Sequence, residues 1–540
     1  MKNIPVLIIG GGPVGLSLAL ALARQNIRSL VIERHPSTTN HPKARGVNVR
    51  TMELFRQWGN SEELLKHEQP KEARQFIWAQ SLQGEEVTRV TMEDFGNHSF
   101  SPAQASFVSQ DHVEESLLHA LANYEETEVR FLNDFISFEE DDTGITARIL
   151  NKTNNKEEVI RAKFLIAADG THSKIRKKLE ITMDGSENLG QFCSVYCDID
   201  ISEWTKHRPC IGFLFTDIKL SGRFLASVDG ANRWIVGLRF SEKNSKEDFT
   251  DEYCINLIRE IVDLPNLTVN IINKKFWTMA AQIANQYQKG KVFLVGDAAH
   301  ILPPTGGFGM NTGIQDAHNL AWKLAFVINY TISEKLLSTY YDERAPIAAQ
   351  NIKWSTENAK RYTEIYAAIY SGDLKKLKIK LHEQQKNLNY AGLDLGFIYH
   401  SIAIKSENTE TLSVTPTKYV PTTSPGSRAP HMKLIKNDKE ISTLDLFEKH
   451  FVLLIGSEGD SWQVAAQELS QTLPFTLMVY KISADGDLID PDNVWHDTYC
   501  VTKSGAVMIR PDGHVAWRSI SMASNPKIEL ESCLKTILFL

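Results

Sequence analysis

The apolar positions along this chain fall into runs of three kinds, and each kind predicts a different element. Val6 to Gly10 (VLIIG) is short and uninterrupted, as a strand buried on both faces requires. Pro13 to Gln25 reads as a helix and Ser29 to Glu33 (SLVIE) as a second strand, which together make a βαβ unit. Similar uninterrupted runs occur at FLIAA, from Phe164, and at KVFLVG, from Lys291. Between about 181 and 280 the pattern changes. CIGFLF and RWIVGLRF alternate in the way of an antiparallel sheet with one covered face. From Leu336 a long helical region runs to about Lys386, Pro416 to Pro430 is turn-rich and reads as a linker, and from Leu434 a smaller unit carries FVLLIG, LMVYKI and AVMIRP as strands.

Composition narrows the class. At 540 residues the chain exceeds one hydrophobic core, so two to three domains are expected. Hydrophobic residues are 42% and charged residues 23%, which fits folded globular domains. A net charge of −7 gives no footprint for nucleic acid, and the one basic run, Lys375 to Lys380, reads as a solvated helix face. None of the six cysteines forms a C-x-x-C pair. Cys193 and Cys197 therefore read as buried thiols rather than zinc ligands, no metal is expected, and a reduced cytoplasmic protein fits. Asn3 to Ala23 is uncharged, but GGGPVG breaks it, so it is part of the fold rather than a signal peptide or membrane span.

The candidate chemistry sits at the turns. Gly10, Gly12 and Gly15 have G-x-G-x-x-G spacing between the first strand and the helix: a tight turn, a close approach for phosphate, and helix-on-strand packing. Glu33 ends the next strand, where a carboxylate accepts from ribose hydroxyls. This predicts an ADP-containing cofactor and leaves FAD and NAD open. Two further turns bear on the choice. Phe164 to Leu179 is a strand followed by Asp169-Gly170 and a basic helix start. The stretch GDAAHILPPTGGFGMNTGIQDAHNLAWK (296–323) ends a strand at Gly296-Asp297, where a carboxylate suits the hydroxyls of a polyol such as a ribityl chain. Glycines 306 to 313 then let the backbone approach a flat ligand, and a helix starts at Asn311 whose dipole favours negative charge. His300 and His318 read as packing or helix-surface residues rather than catalysts, and Trp322 as core.

These segments together resemble the class A FAD-dependent aromatic monooxygenases, the para-hydroxybenzoate hydroxylase superfamily. HPKARGVNVRTMELFRQWG (His41 to Gly59), which reads as a loop followed by a helix from Thr51 to Trp58, is similar to that family's second FAD segment, with Arg45 at the pyrophosphate. SQDHVEESLLHAL places Gln110 at the flavin side chain. PTTSPGSRAPHMKL, STLDLF and IRPDGHVAWR resemble the phenol and polyketide hydroxylase branch. The resemblance implies an α/β fold: a Rossmann-like FAD-binding domain (1–180 and 281–345), an inserted antiparallel-sheet substrate domain (181–280, with 76–104 on the substrate side), a helical region and linker (346–415), and a C-terminal thioredoxin-like domain (416–540). It implies a cofactor-binding set of Gly10, Gly12, Pro13, Val14, Gly15, Glu33, Arg34, Arg45, Gln110, Asp169, Asp297, Pro304, Gly307, Gly309, Met310 and Asn311, with the Pro304 carbonyl near the reacting centre and no general base identified.

The same resemblance implies bound FAD, transient NADPH or NADH, and insertion of one atom of O2 into a phenolic or polycyclic aromatic substrate through a flavin C4a-hydroperoxide. Without a C-x-x-C pair, the last domain is expected to be structural or to form a homodimer. Three alternatives stand beside this reading. A flavin halogenase would carry W-x-W-x-I-P, and no two tryptophans here have that spacing. A Baeyer–Villiger-type or antibiotic-inactivating oxygenase shares the scaffold, and so does a flavin-binding regulatory protein without turnover. Phe213, Phe215, Phe224 and Trp234 suit either an aromatic pocket or core packing.

Overall fold

In the computed structural model, which describes residues 2–91, 99–240, 245–385, 388–405, 407 and 415–540, the uninterrupted apolar runs become the centre of a largely parallel sheet. Lys2–Ile9 lies parallel to both Ser29–Ile32 and Lys156–Ala167, and Val6 is opposite Ser29 on one side and Phe164 on the other. The sheet extends to Thr127–Arg130 at one edge and to Val292–Leu294 and Gln288–Lys289 at the other. Val6, Leu7 and Ile8 are fully buried, which is why no polar residue interrupts the run. Helix α1 (Pro13–Arg24) follows the first strand with Pro13 at its first position, where the missing N–H costs nothing.

The alternating runs form a second sheet. Its strands follow the order His300–Ile301, Asn270–Ala284, Met183–Asp198, Arg233–Phe240, Arg223–Ser227, Gly212–Phe215, Gln75–Ala79 and Glu86–Thr91. All pairings are antiparallel except that of Gly212–Phe215 with Gln75–Ala79. Residues 75–91 therefore join this sheet; residues 92–98 of the span 76–104 lie outside the described residues.

The period of two divides the aromatic side chains. Phe213, Phe215 and Trp234 fall on the face that packs against the helix Asp251–Val262, together with buried Cys193, Cys197 and Cys254. They are core residues. Only Phe224, of the four aromatics named from sequence, faces the other way, against Trp78, Leu214, Tyr196 and Ile235. A Cβ on Gly237 would lie 1.9 Å from the Phe224 ring, so the glycine lets that ring lie flat on the strand.

The helix boundaries depart from the sequence reading at three places. Helix α2 (Val49–Trp58) begins before Thr51, because the Asn48 side chain caps it by accepting from the Thr51 N–H at 3.0 Å. Helix α3 (Phe308–Asn329) begins at Phe308 rather than Asn311: Gly307, at φ +71°, turns the chain directly into the helix. The long helical region is two helices, α4 (Lys335–Ser371) and α5 (Leu374–Gln385), broken at left-handed Gly372. Lys375, Lys376 and Lys378 are exposed on α5, as the solvated-face reading expects.

At the C-terminal end a mixed four-stranded sheet (Leu477–Lys481, Phe451–Ile455, Ala506–Ile509, Val515–Ser519) with helices Asp460–Ser470 and Pro526–Leu538 makes a thioredoxin-like unit. All six cysteines are free thiols. The stretch Pro416–Pro430 is not a loose linker: Thr423, Ser427, Arg428 and Ala429 are buried, with Arg428 donating to Glu53 of α2. No helix among the described residues is long and apolar enough to cross a membrane.

Candidate active site

The three glycine-rich turns meet at one place. The chain leaves the first strand at Gly10, whose φ of +113° and close approach (a Cβ would lie 2.2 Å from the Ala168 carbonyl) admit no other residue. A Cβ on Gly15 would lie 2.0 Å from the Gly10 carbonyl, which locks α1 onto the turn. Gly12 is different: nothing lies within 4 Å of where its Cβ would be. Gly307 and Gly309, at the start of α3, are equally open. The two helix starts touch through Val14, since a Cβ on Gly313 would meet the Val14 side chain at 2.5 Å and the Gly296 Cα at 3.0 Å. Segments some 280 residues apart in sequence thus present bare backbone side by side, with the free N–H groups and positive dipole ends of α1 and α3.

The expected side chains surround this junction in different ways. Glu33 accepts from the Gly11 N–H at 2.7 Å and the His35 N–H at 2.8 Å, so its carboxylate stands at the glycine turn. Arg34 points to solvent, and its carbonyl accepts from Lys152. Gln110 opens the helix Gln110–Leu121, accepts from the Lys43 N–H at 3.2 Å and donates to Glu114 at 2.7 Å. Arg45 donates to the Ile211 and Ser227 carbonyls at 2.8 and 2.9 Å, reaching across to the second sheet. Burial, with no carboxylate partner among the described residues, pulls its pKa down to about 10.

Asp169 accepts from the Lys174 N–H at 2.9 Å through one oxygen, while the other is buried without a partner. Burial raises its pKa. Asp297 sits in the turn Gly296–Ala298 after the strand Val292–Leu294, half-buried, its carboxylate free of hydrogen bonds within the described residues. The Pro304 carbonyl accepts from the Gly307 N–H at 3.2 Å and closes the turn into α3. Met310 is buried in the first turn of α3. Asn311 serves the scaffold with its side chain: it accepts from the Asn48 N–H at 3.1 Å and donates to the Gly46 carbonyl at 3.1 Å, pinning α3 to the 46–48 segment.

Sequence reasoning missed the group that holds this junction from behind. Asp316, on α3, accepts from His300 Nε2 at 2.6 Å, from the Gly296 N–H at 3.3 Å and from Arg344 Nε at 2.7 Å. Burial pushes its pKa up, and His300 and Arg344 more than offset that, leaving it lowered. Arg344 continues to the Thr312 carbonyl and the Tyr399 hydroxyl, both at 3.1 Å. His300 therefore packs, as its sequence reading holds, but with a carboxylate rather than with apolar neighbours. The signal available in the sequence was a charged residue in a helix with almost no polar face.

Comparison with known proteins agrees with this geometry. A family model for an FAD binding domain matches residues 3–355, and one for the C-terminal part of aromatic-ring hydroxylases matches residues 422–538. The chain is 33% identical to a 4-methyl-5-nitrocatechol 5-monooxygenase from a Burkholderia species, over 99% of this chain and 98% of that one. Among solved structures, the flavin-dependent monooxygenase PieE in complex with FAD and substrate is similar with a TM-score of 0.91 at 28% identity, over 99% of both chains. A ternary complex of aklavinone-11 hydroxylase with FAD and aklavinone is similar with a TM-score of 0.88 at 31% identity, over 100% of both chains. By these matches the chain belongs to the class A FAD-dependent monooxygenases, as an enzyme of aromatic-ring hydroxylation.

Proposed function

We propose that the Gly10–Gly15 turn holds the ADP half of FAD, that the loop from Pro303 to Asn311 holds its ring system, and that NADPH or NADH reduces it there before a phenolic or polycyclic substrate is hydroxylated against the second sheet. In this reading residues 1–180 and 281–345 are the flavin half, 181–280 the substrate half, and 416–540 a structural unit. The observation that carries it is the pattern of room at the glycines. Gly10, Gly15 and Gly313 are tight against the protein, whereas Gly12, Gly307 and Gly309, on the two turns that Val14 joins, are open.

When bound, the flavin supplies the oxygen activation. The chain supplies the rest. The N–H groups of Phe308, Gly309 and Met310, unpaired within α3, receive negative charge on the ring with help from the helix dipole. Arg45, a cation without a carboxylate partner among the described residues, answers the pyrophosphate. Glu33 and Asp297 accept from ribose and ribityl hydroxyls, and the Pro304 carbonyl borders the reacting position. A planar aromatic substrate is supported by the outer face of the second sheet. There Phe192 stacks on Trp277 at 4.7 Å and Trp78 lies 6.2 Å from the Tyr362 ring of α4.

The test is mass spectrometry of products from mono- and polycyclic phenols, with NADPH and NADH oxidation recorded for each. A product heavier by one oxygen with substrate-dependent oxidation of the nucleotide supports the reading, and oxidation without any oxygenated product counts against it.

A further inference from the structure

The helix Gln110–Leu121 carries a second set of polar groups, on a face that the flavin reading does not use. His112 and Glu115 stand three residues apart on it, so helical geometry puts both side chains on one face, and His112 Nδ1 lies 3.2 Å from Glu115 Oε2. His67 comes from the chain just after the short helix Ser61–Leu65, held by its N–H donating to the Leu64 carbonyl at 3.2 Å. Its ring stacks on that of His112, with centroids 3.8 Å apart and planes 8° from parallel. One ligand atom from each of His67, His112 and Glu115 falls within 4.8 Å of the others, and among the described residues this is the one such group of three His, Cys, Asp or Glu.

The charges around this group favour a cation. Arg233, whose Nη2 lies 3.3 Å from His112 Nε2, is matched by two carboxylates, Asp111 through Nη1 and Asp229 through Nε, each at 3.0 Å. Lys66 is taken by Glu63. Glu115 has neither a lysine nor an arginine partner among the described residues and pairs with His112 alone. Two cations thus stand against the four carboxylates of Asp111, Asp229, Glu63 and Glu115, and the surplus negative charge lies beside two imidazoles. His67 and Glu115 are exposed and His112 is half-buried, so water reaches the group.

We propose that His67, His112 and Glu115 bind a divalent transition-metal ion of the zinc class, with water in the remaining position. Two imidazoles and a carboxylate suit such an ion, whereas calcium and magnesium take all-oxygen sets. At about 2.0–2.2 Å from each ligand, a tetrahedral ion holds the ligand atoms roughly 3.4 Å apart, so the group closes by at most about 1.4 Å, within reach of small side-chain rotations. In the metal-free protein Arg233 donates to His112 Nε2, which leaves the ring proton on Nδ1, facing Glu115. When the ion takes Nδ1 the proton passes through solvent to Nε2, and Arg233 turns Nη2 aside while Nη1 and Nε keep Asp111 and Asp229. No proton is lost in net and no electron moves. The expectation of no metal is drawn from the cysteines, which this group does not use. A bound ion ties the helix that opens with Gln110 to the turn leading to Gln69, which donates to the Ser227 carbonyl at 3.2 Å. The assignment does not depend on the flavin reading.

The test uses FAD-loaded protein cleared of metal with a chelator, then titrated with Zn2+ by calorimetry and with Co2+ by its visible absorption. Wild type should bind one ion of either kind at this group. His67→Ala, His112→Ala and Glu115→Gln should each weaken that binding about tenfold or more. His67→Ala and Glu115→Gln should keep the FAD content and the metal-free melting temperature of wild type, because both side chains are exposed, and His382→Ala, on α5, should leave metal binding unchanged. Excess Mg2+ should not displace Zn2+. No binding of Zn2+ or Co2+ by wild type, or binding that either His67→Ala or Glu115→Gln leaves unchanged, overturns the proposal.

Discussion

At the starts of α1 and α3 the chain shows bare backbone: open glycines, free N–H groups, and an Asp297 carboxylate with no partner among the described residues. A few turns further along α3, where it meets α4 and the C-terminal unit, the charged groups are instead paired with one another and dry, although Asn319 Oδ1 and His514 Nε2 stay without a partner. Glu343 of α4 accepts from Arg510 at 2.6 and 2.9 Å, Lys323 at 2.8 Å and Asn319 at 2.7 Å, and Asp512 accepts from Trp322 at 3.2 Å. Arg428 makes a similar bond across the same boundary to Glu53 at 2.9 Å. One region keeps hydrogen-bonding capacity unspent for a ligand, and the other consumes it to fix two parts of the chain. The contrast separates a binding surface from a seam by a criterion more useful than burial alone.

The sharpest break is at the glycines themselves. Gly10→Val places side-chain atoms inside the Ala168 carbonyl and should yield protein without FAD absorbance, whereas Gly12→Ala should fold normally and lose at most about tenfold in FAD affinity by fluorescence titration. Equal damage from both would remove the distinction between tight and open glycines. Next is the seam. Arg510→Met leaves Glu343 and Asp512 with an uncompensated buried charge and should cost roughly 3–5 kcal/mol in urea unfolding, with part of the loss recovered by adding Glu343→Leu. A smaller effect is expected at Glu33→Gln, which should weaken FAD by about tenfold and leave the melting temperature of the apoprotein nearly unchanged.

The smallest effect, and the one that distinguishes seam from site without touching the cofactor, is in the pH profile. Burial holds His514 down to about 4, so between roughly pH 6.5 and 4 the unfolded chain binds a proton that the folded chain does not, and stability falls as pH falls. Asp394, which accepts from the Val49 N–H at 2.9 Å, is pushed by burial up to about 7, so over roughly pH 7 to 4 the folded chain holds the extra proton and stability rises as pH falls. His514→Phe should therefore flatten the acid side of a denaturant midpoint against pH by up to about 1.4 kcal/mol per pH unit, and Asp394→Asn should steepen it. Identical slopes in all three proteins would mean that neither group is as buried as the seam requires.

The sequence disclosed what depends on short spacing. Gly10, Gly12 and Gly15 carry their geometry in their intervals, whereas Phe213 and Phe224 lie on different strands, and only the register that pairs Leu214 with Phe224 shows that they face opposite ways. The helix start at Phe308 was hidden because the glycines before and within it look like loop, and only the left-handed turn at Gly307 shows that the helix has already begun. The seam was invisible for a different reason. Glu53, Glu343, Arg428 and Arg510 look like surface charges in sequence, since their partners lie 167 and 375 residues away and nothing local marks them as paired.

The central claim is that two turns nearly three hundred residues apart embrace one FAD. Hydrogen–deuterium exchange of the apoprotein with and without FAD tests it directly. The account predicts that peptides covering 8–16 and 303–313 gain protection together at the same FAD concentration, while peptides across the Arg510 seam do not change. Protection of the first peptide alone, with 303–313 exchanging as before, would contradict it.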